Sequence, residues 1–179
     1  MNNHRLFVTL HLVLPRNSRA VGFHGDSFRV RSGTNEFRLR LYFVDTPETN
    51  LIYPERTRQQ SEYFGVTLDE SMKAGRQARD LTRDTLREPF VVWTRWAIGA
   101  GRSKEPRYYG LVQVGTNGLA EVLVRNGLAQ PKGLRPNLPT GEKATAYVDR
   151  LLTLEAEAKK QRAGLWASSP EKKKETEKP

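Results

Sequence analysis

Polar and apolar residues alternate along Ser27-Phe-Arg-Val-Arg31, and again along 36–44, where Phe37, Leu39, Leu41 and Phe43 share one face and Arg38, Arg40 and Tyr42 the other. A period of two is the signature of a half-buried strand. Ser32-Gly33-Thr34-Asn35 supplies the turn between these runs, and 21–26 reads as an earlier strand running into a turn, so 21–44 is a meander. Two further strands follow at 90–96 and 109–114, joined by a loop over 99–107, and Gly115-Thr-Asn-Gly118 is another turn.

Helical spacing takes over elsewhere. Thr67-Leu-Asp-Glu70 is a capping box that opens a helix with Met72, Gly75, Ala78, Leu81 and Thr85 on one stripe, and Pro89 breaks it. Residues 120–126 form a short helix with Gly127 just past its end. Tyr147, Leu151, Leu154 and Ala158 repeat at four, three and four, which predicts a last helix ended by Gly164. The polar segment 49–65, with Tyr53, Arg56 and Arg58, is predicted to be a long loop, either functional or floppy.

Five short strands with glycine turns and three helices predict an α+β, mainly β fold: a small five-stranded barrel of the oligonucleotide-binding (OB) type, whose closure removes exposed strand edges. A helix-covered open sheet is the alternative. The expected organisation is an N-terminal extension or signal remnant at 1–17, one domain at 18–168 and a charged, disordered tail at 169–179. Leu6 to Leu14 has the length of an export-signal core but is interrupted by His11, and no small-x-small cleavage site follows at once. It reads equally as a decayed export signal or an extra strand, and is too short to span a bilayer. The compartment stays open, with export slightly favoured.

Charge points to the partner. The 30 Lys+Arg against 20 Asp+Glu give +10 over 179 residues, and the tail contributes only a small part, so the folded body is basic. Polyanions are the expected partners, because each neutralised phosphate releases counterions. With no cysteine in the chain, disulfides, thiolate metal sites and cysteine nucleophiles are excluded, and any metal must take oxygen or histidine ligands.

The candidate chemistry lies where strands end. Gly25-Asp26-Ser27 places an acid at the mouth of one strand, and the run from Phe37 ends in Asp45-Thr46-Pro47-Glu48 after delivering Arg40. Carboxylates suit a hard cation, and an arginine offers a planar fork for phosphoryl oxygens. An unbroken strand would set Asp45 opposite Arg40, so a bulge or bend near Val44 is needed if both serve one site. Alone, each acid reads as ordinary turn chemistry; their combination with Arg40 carries the argument.

These segments resemble the staphylococcal-nuclease (thermonuclease) family. Gly25-Asp26-Ser27 is similar to its Gly-Asp-Thr turn, and Arg40-Leu-Tyr-Phe-Val-Asp45-Thr46-Pro47-Glu48 to its Arg-Leu-Leu-Leu-Val-Asp-Thr-Pro-Glu. Leu123-Val-Arg-Asn-Gly-Leu-Ala129, and Glu155-Ala-Glu-Ala-Lys-Lys160 with Gly164-Leu-Trp166, resemble two later blocks in the same order. The resemblance implies calcium-dependent hydrolysis of DNA and RNA. It implies that Asp26, Asp45 and the Thr46 carbonyl bind the metal, that Glu48 is the base directing water, and that Arg40 holds the phosphate. His24 stands where the family usually has an aspartate, and a surface turn histidine is expected there.

Two departures bear on mechanism. Anchored on Gly110-Leu111, the family's second phosphate arginine falls on Tyr109, which is expected to contact nucleic acid through one neutral hydrogen bond but carries no charge. One lost donor of that kind costs ~3 kcal/mol of transition-state stabilisation. Arg107, on the same strand face, is the expected substitute, ahead of Arg102 and Arg38. The nucleotide-contacting tyrosines after the Gly-Leu-Ala block are also missing, and Lys132 and Arg135 are expected to contact nucleic acid instead, with Tyr108 or Tyr53 as possible stacking faces. The leading expectation is thus a calcium-dependent, low-specificity endonuclease acting as a monomer on DNA and RNA, without membrane attachment. A domain that binds nucleic acid without cleaving it is the rival, and a basic protein-interaction domain ranks last.

Overall fold

The computed structural model describes residues 8–12, 23–87, 89–98, 107–138 and 140–169. The elements run β1 (Val8–Leu12), β2 (Ser27–Ser32), β3 (Asn35–Leu41), β4 (Val44–Asp45), α1 (Pro54–Phe64), α2 (Leu68–Thr85), β5 (Phe90–Ile98), β6 (Arg107–Val114), β7 (Asn117–Gly118), α3 (Leu119–Arg125), β8 (Gln130–Pro131) and α4 (Ala144–Lys160), followed by a 3-10 turn at Gly164–Ala167. The architecture is mixed α/β, with five main strands and four α-helices.

Strands β2 and β3 are an antiparallel hairpin turning at Gly33, whose φ of +58° suits a residue without a Cβ. Phe28, Val30, Leu39 and Leu41 point into the core as the alternation requires. Strand β1 pairs antiparallel with both β2 and β5, β5 with β6, and β6 runs parallel to β3 in the register Arg38↔Arg107 and Arg40↔Tyr109. The pairings among these five strands thus lead from β3 back to β3.

Two expectations need correction. Among the described residues five main strands are present, but the first is Val8–Leu12, from the run read as either signal or extra strand, whereas 23–26 is a bend closed by the His24 N–H donating to Ser27 O at 2.7 Å. The described residues hold four α-helices instead of three, because part of the segment read as a loop, Pro54–Phe64, is helical. Pro54 opens it, where a missing N–H costs nothing, and Gly65 closes it at φ 68°. The proposed tail and the 99–106 loop, including Arg102, lie outside the described residues.

Helix α2 starts at the expected Thr67–Glu70 capping box. Its buried face is Ser71, Ala74, Gly75, Ala78 and Thr82, rotated from the apolar stripe because small residues let it sit directly on backbone. A Cβ on Gly75 would lie 2.6 Å from Pro47 O and closer still to Glu48 O, and Thr82 Oγ1 donates to Gly25 O at 2.7 Å. One helix therefore braces both acidic turns. Helix α4 buries Tyr147, Leu151, Leu154 and Ala158, the spacing read from the sequence, and packs on α3.

Candidate active site

Chain direction changes at Phe43, which takes φ +70°, unusual for a residue with a side chain. The bend falls one residue before Val44 and separates β3 from β4, so Arg40 and Asp45 no longer sit on opposite faces of one strand. Arg40 Nη2 lies 2.8 Å from Asp45 Oδ1 and 3.1 Å from Asp26 Oδ2. Asp26 precedes Ser27, which is the cross-strand partner of Arg40, and its own carbonyl accepts from the Leu41 N–H at 2.8 Å. The Thr46 N–H reaches Asp26 Oδ2 at 3.4 Å. Two acids, one from the bend before β2 and one from β4, thus converge on one guanidinium.

All of these groups are withdrawn from water. Asp26, Asp45, Thr46 and Glu48 are each less than a tenth exposed. Burial of charge is tolerable only with compensation, and the pKa shifts record it. The Asp26 carboxylate, more than any other group, raises the Arg40 pKa, against the opposing effect of burial. For Asp45, burial alone would raise the carboxyl pKa, but Arg56 and Arg40, with amides from Gln60 and Gln130, pull it below the ordinary value.

Arg56, Gln60 and Gln130 were not legible as site residues in the sequence. Arg56 Nη2 meets Asp45 Oδ1, and its Nε lies 2.6 Å from Glu48 Oε1, an ion pair without an aligned hydrogen bond. Gln60, one helical turn further along α1, donates to Asp45 Oδ2 and to Thr46 O, both at 2.9 Å, and accepts from the Glu48 N–H at 2.9 Å. Gln130 donates to Asp45 Oδ2 at 3.1 Å from β8. His24 Nδ1 is 3.6 Å from Glu48 Oε2, so this turn histidine borders the acid cluster.

The remaining candidates divide. Tyr109 is buried and stacks on Tyr42, with centroids 5.1 Å apart. Arg107 shares the face of Arg40 by register, and its pKa is lowered by burial and then by the Arg40 charge, with Asp26 opposing. Tyr108 packs edge-on against Phe37 on the other face. Lys132 and Arg135 are exposed on the loop after β8, which is tied to the bend by the Lys132 N–H donating to Phe43 O at 2.8 Å. Tyr53 is exposed just before α1.

As donors, two carboxylates and a carbonyl suit calcium, which takes oxygen ligands and retains water. Asp26, Asp45 and Thr46 meet that chemistry, since the acids converge and Thr46 follows Asp45 directly. Among the described residues no three acidic or histidine side chains form a group able to hold a metal as they stand. The oxygens of Asp45 accept from two arginines and two glutamines.

Searching curated proteins finds no match. The family model described as staphylococcal nuclease homologue matches residues 38–168, which contain Arg40, Asp45, Thr46 and Glu48 but not Asp26. That span covers well over half of the 179 residues, and its first strand is the one that carries Arg40. The chain belongs to the staphylococcal nuclease homologue family.

Proposed function

We propose that this chain is a calcium-dependent phosphodiesterase that cleaves DNA and RNA internally with little sequence specificity. The observation that carries the reading is the meeting of Asp26 and Asp45 at Arg40 Nη2. Family membership supports nuclease-type chemistry, and the basic body supports a polyanionic substrate. The ring of strand pairings supports a barrel of the OB type as the platform.

Asp26, Asp45 and the Thr46 carbonyl would hold calcium, which when bound supplies Lewis-acid polarisation of a phosphoryl oxygen. The rest falls to the chain. Arg40 donates to the phosphoryl oxygens as charge builds on them, worth about 3 kcal/mol for one such donor in a water-poor site. Glu48 orients water and takes its proton, and its carboxylate is held beside Asp45 by Arg56. Arg107 adds positive potential from the same face, while Lys132 and Arg135 track the substrate backbone. One chain supplies every group, so a monomer suffices.

The test is degradation of single-stranded DNA and RNA by the purified chain in millimolar calcium across alkaline pH, with a known nuclease run in parallel. Cleavage that chelator abolishes is expected; none with either substrate overturns the proposal. The second reading, binding without cleavage, draws on the nitrogen donors that fill Asp45 and on the uncharged Tyr109. It predicts salt-sensitive oligonucleotide binding unchanged by chelator and by Glu48→Gln.

A further inference from the structure

We propose that Arg56 is the second phosphate-gripping arginine of this site, held on Asp45 and Glu48 in the metal-free protein and released towards the substrate phosphate when calcium occupies Asp45. This rests on the phosphodiesterase reading and assigns a role to a residue from a helix unforeseen in the sequence.

Geometry makes Arg56 the best-placed candidate. Its guanidinium and that of Arg40 meet on the same oxygen, Asp45 Oδ1. Two guanidinium groups closing on one anionic oxygen is an arrangement that a phosphoryl oxygen can also accept. Arg40 is fixed, with a side chain 13% exposed and bonds to two buried acids, whereas the Arg56 side chain is 39% exposed and its Nε contact to Glu48 is not aligned. Arg56 is therefore the cation able to move.

Helix α1 keeps it in reach. Gln60, fully buried on the same helix, is bonded to Asp45, Thr46 and the Glu48 backbone, so α1 stays seated when the Arg56 side chain turns. Tyr109 stands opposite Arg40 in the β3–β6 register and offers no charge. Arg40 and Arg56 together take both lone-pair sites of Asp45 Oδ1, so calcium ligation by that oxygen displaces one of them, and Arg56 is the looser.

The displacement fixes the signs of two affinities, read by calorimetry with no cleavage required. In Arg56→Gln, calcium affinity is expected to rise on the order of 10-fold, because the competing cation is gone, and affinity for a nucleoside 3′,5′-bisphosphate in saturating calcium to fall on the order of 10-fold. Arg56→Lys falls between. Arg58→Gln, which removes the same charge from an exposed position paired with Glu55, changes neither. A fall in both affinities, no change in either one, an equal effect of Arg58→Gln, or failure of the wild-type chain to bind calcium or the bisphosphate overturns the inference. A chain that shows the opposed shifts but cuts no nucleic acid keeps this inference and defeats the nuclease reading.

Discussion

Asp45 and Gln130, 85 positions apart, are joined twice: they are cross-strand partners in the β4–β8 ladder, and Gln130 Nε2 donates to Asp45 Oδ2 at 3.1 Å. An acid inside one family block is thus oriented by the residue that follows another. A buried amide serving a buried carboxylate is worth more than an exposed pair, since removal leaves the acceptor short of a donor. Gln130→Leu is expected to lower stability by about 1–3 kcal/mol and to leave the secondary structure unchanged. Urea unfolding followed by circular dichroism checks both.

Arg40 compensates two buried acids at once. Arg40→Ala leaves Asp26 uncompensated and Asp45 dependent on Arg56, with an expected loss of about 3–5 kcal/mol. Asp26→Asn in the same background removes part of the stranded charge and is expected to restore some of that loss. A double-mutant cycle measured by denaturation gives the coupling.

Close approach of α2 to the Pro47-Glu48 peptides requires glycine at position 75. In Gly75→Ala the new methyl would meet two carbonyl oxygens, Pro47 O at 2.6 Å and Glu48 O closer, and backbone cannot swing aside as a side chain can. The variant is expected to lose about 3 kcal/mol and to displace Glu48. Thermal unfolding, with the amide chemical shifts of 46–49, reads both effects.

Alkaline pH acts far from the site. Burial, then the hydrogen bond to Glu155, raises the Tyr63 phenol pKa, and burial, then the Glu121 charge, raises that of Tyr147. A folded pKa above the unfolded value of about 10 means stabilisation that is complete below that pH and is lost as pH climbs through the folded value. Of the six tyrosines, these two are expected to ionise only with unfolding, visible as a late, cooperative rise in tyrosinate absorbance. Tyr63→Phe removes part of that step.

What the sequence revealed and what it hid follow from the range of the interactions. Alternation along β2 and β3, the Thr67–Glu70 box and the α4 spacing are local patterns, and each appears where expected. Even the bend was demanded by the parity of Arg40 and Asp45, and Phe43 provides it. Helix α1 escaped because its buried face is Thr57, Gln60, Ser61 and Phe64, mostly polar, so no apolar stripe marks it. Pro54 at its first position and Gly65 after it were the available signals. With the helix missed, Arg56 and Gln60 were missed too, although their spacing of four puts them on one face. The parallel β3–β6 pairing joins strands about seventy residues apart, and no local periodicity encodes it. The run from Leu6 to Leu14 has both the length of a signal core and the look of a strand, and within it Val8–Leu12 pairs with β2 and β5.

The most direct test of the account is the calcium dependence of oligonucleotide cleavage, compared between the wild-type chain and Asp45→Asn. If the carboxylates gathered at Arg40 hold the metal, Asp45→Asn shifts half-maximal activation to calcium concentrations at least about tenfold higher. Cleavage by both proteins with the same calcium dependence, or by neither at any calcium concentration, would contradict it.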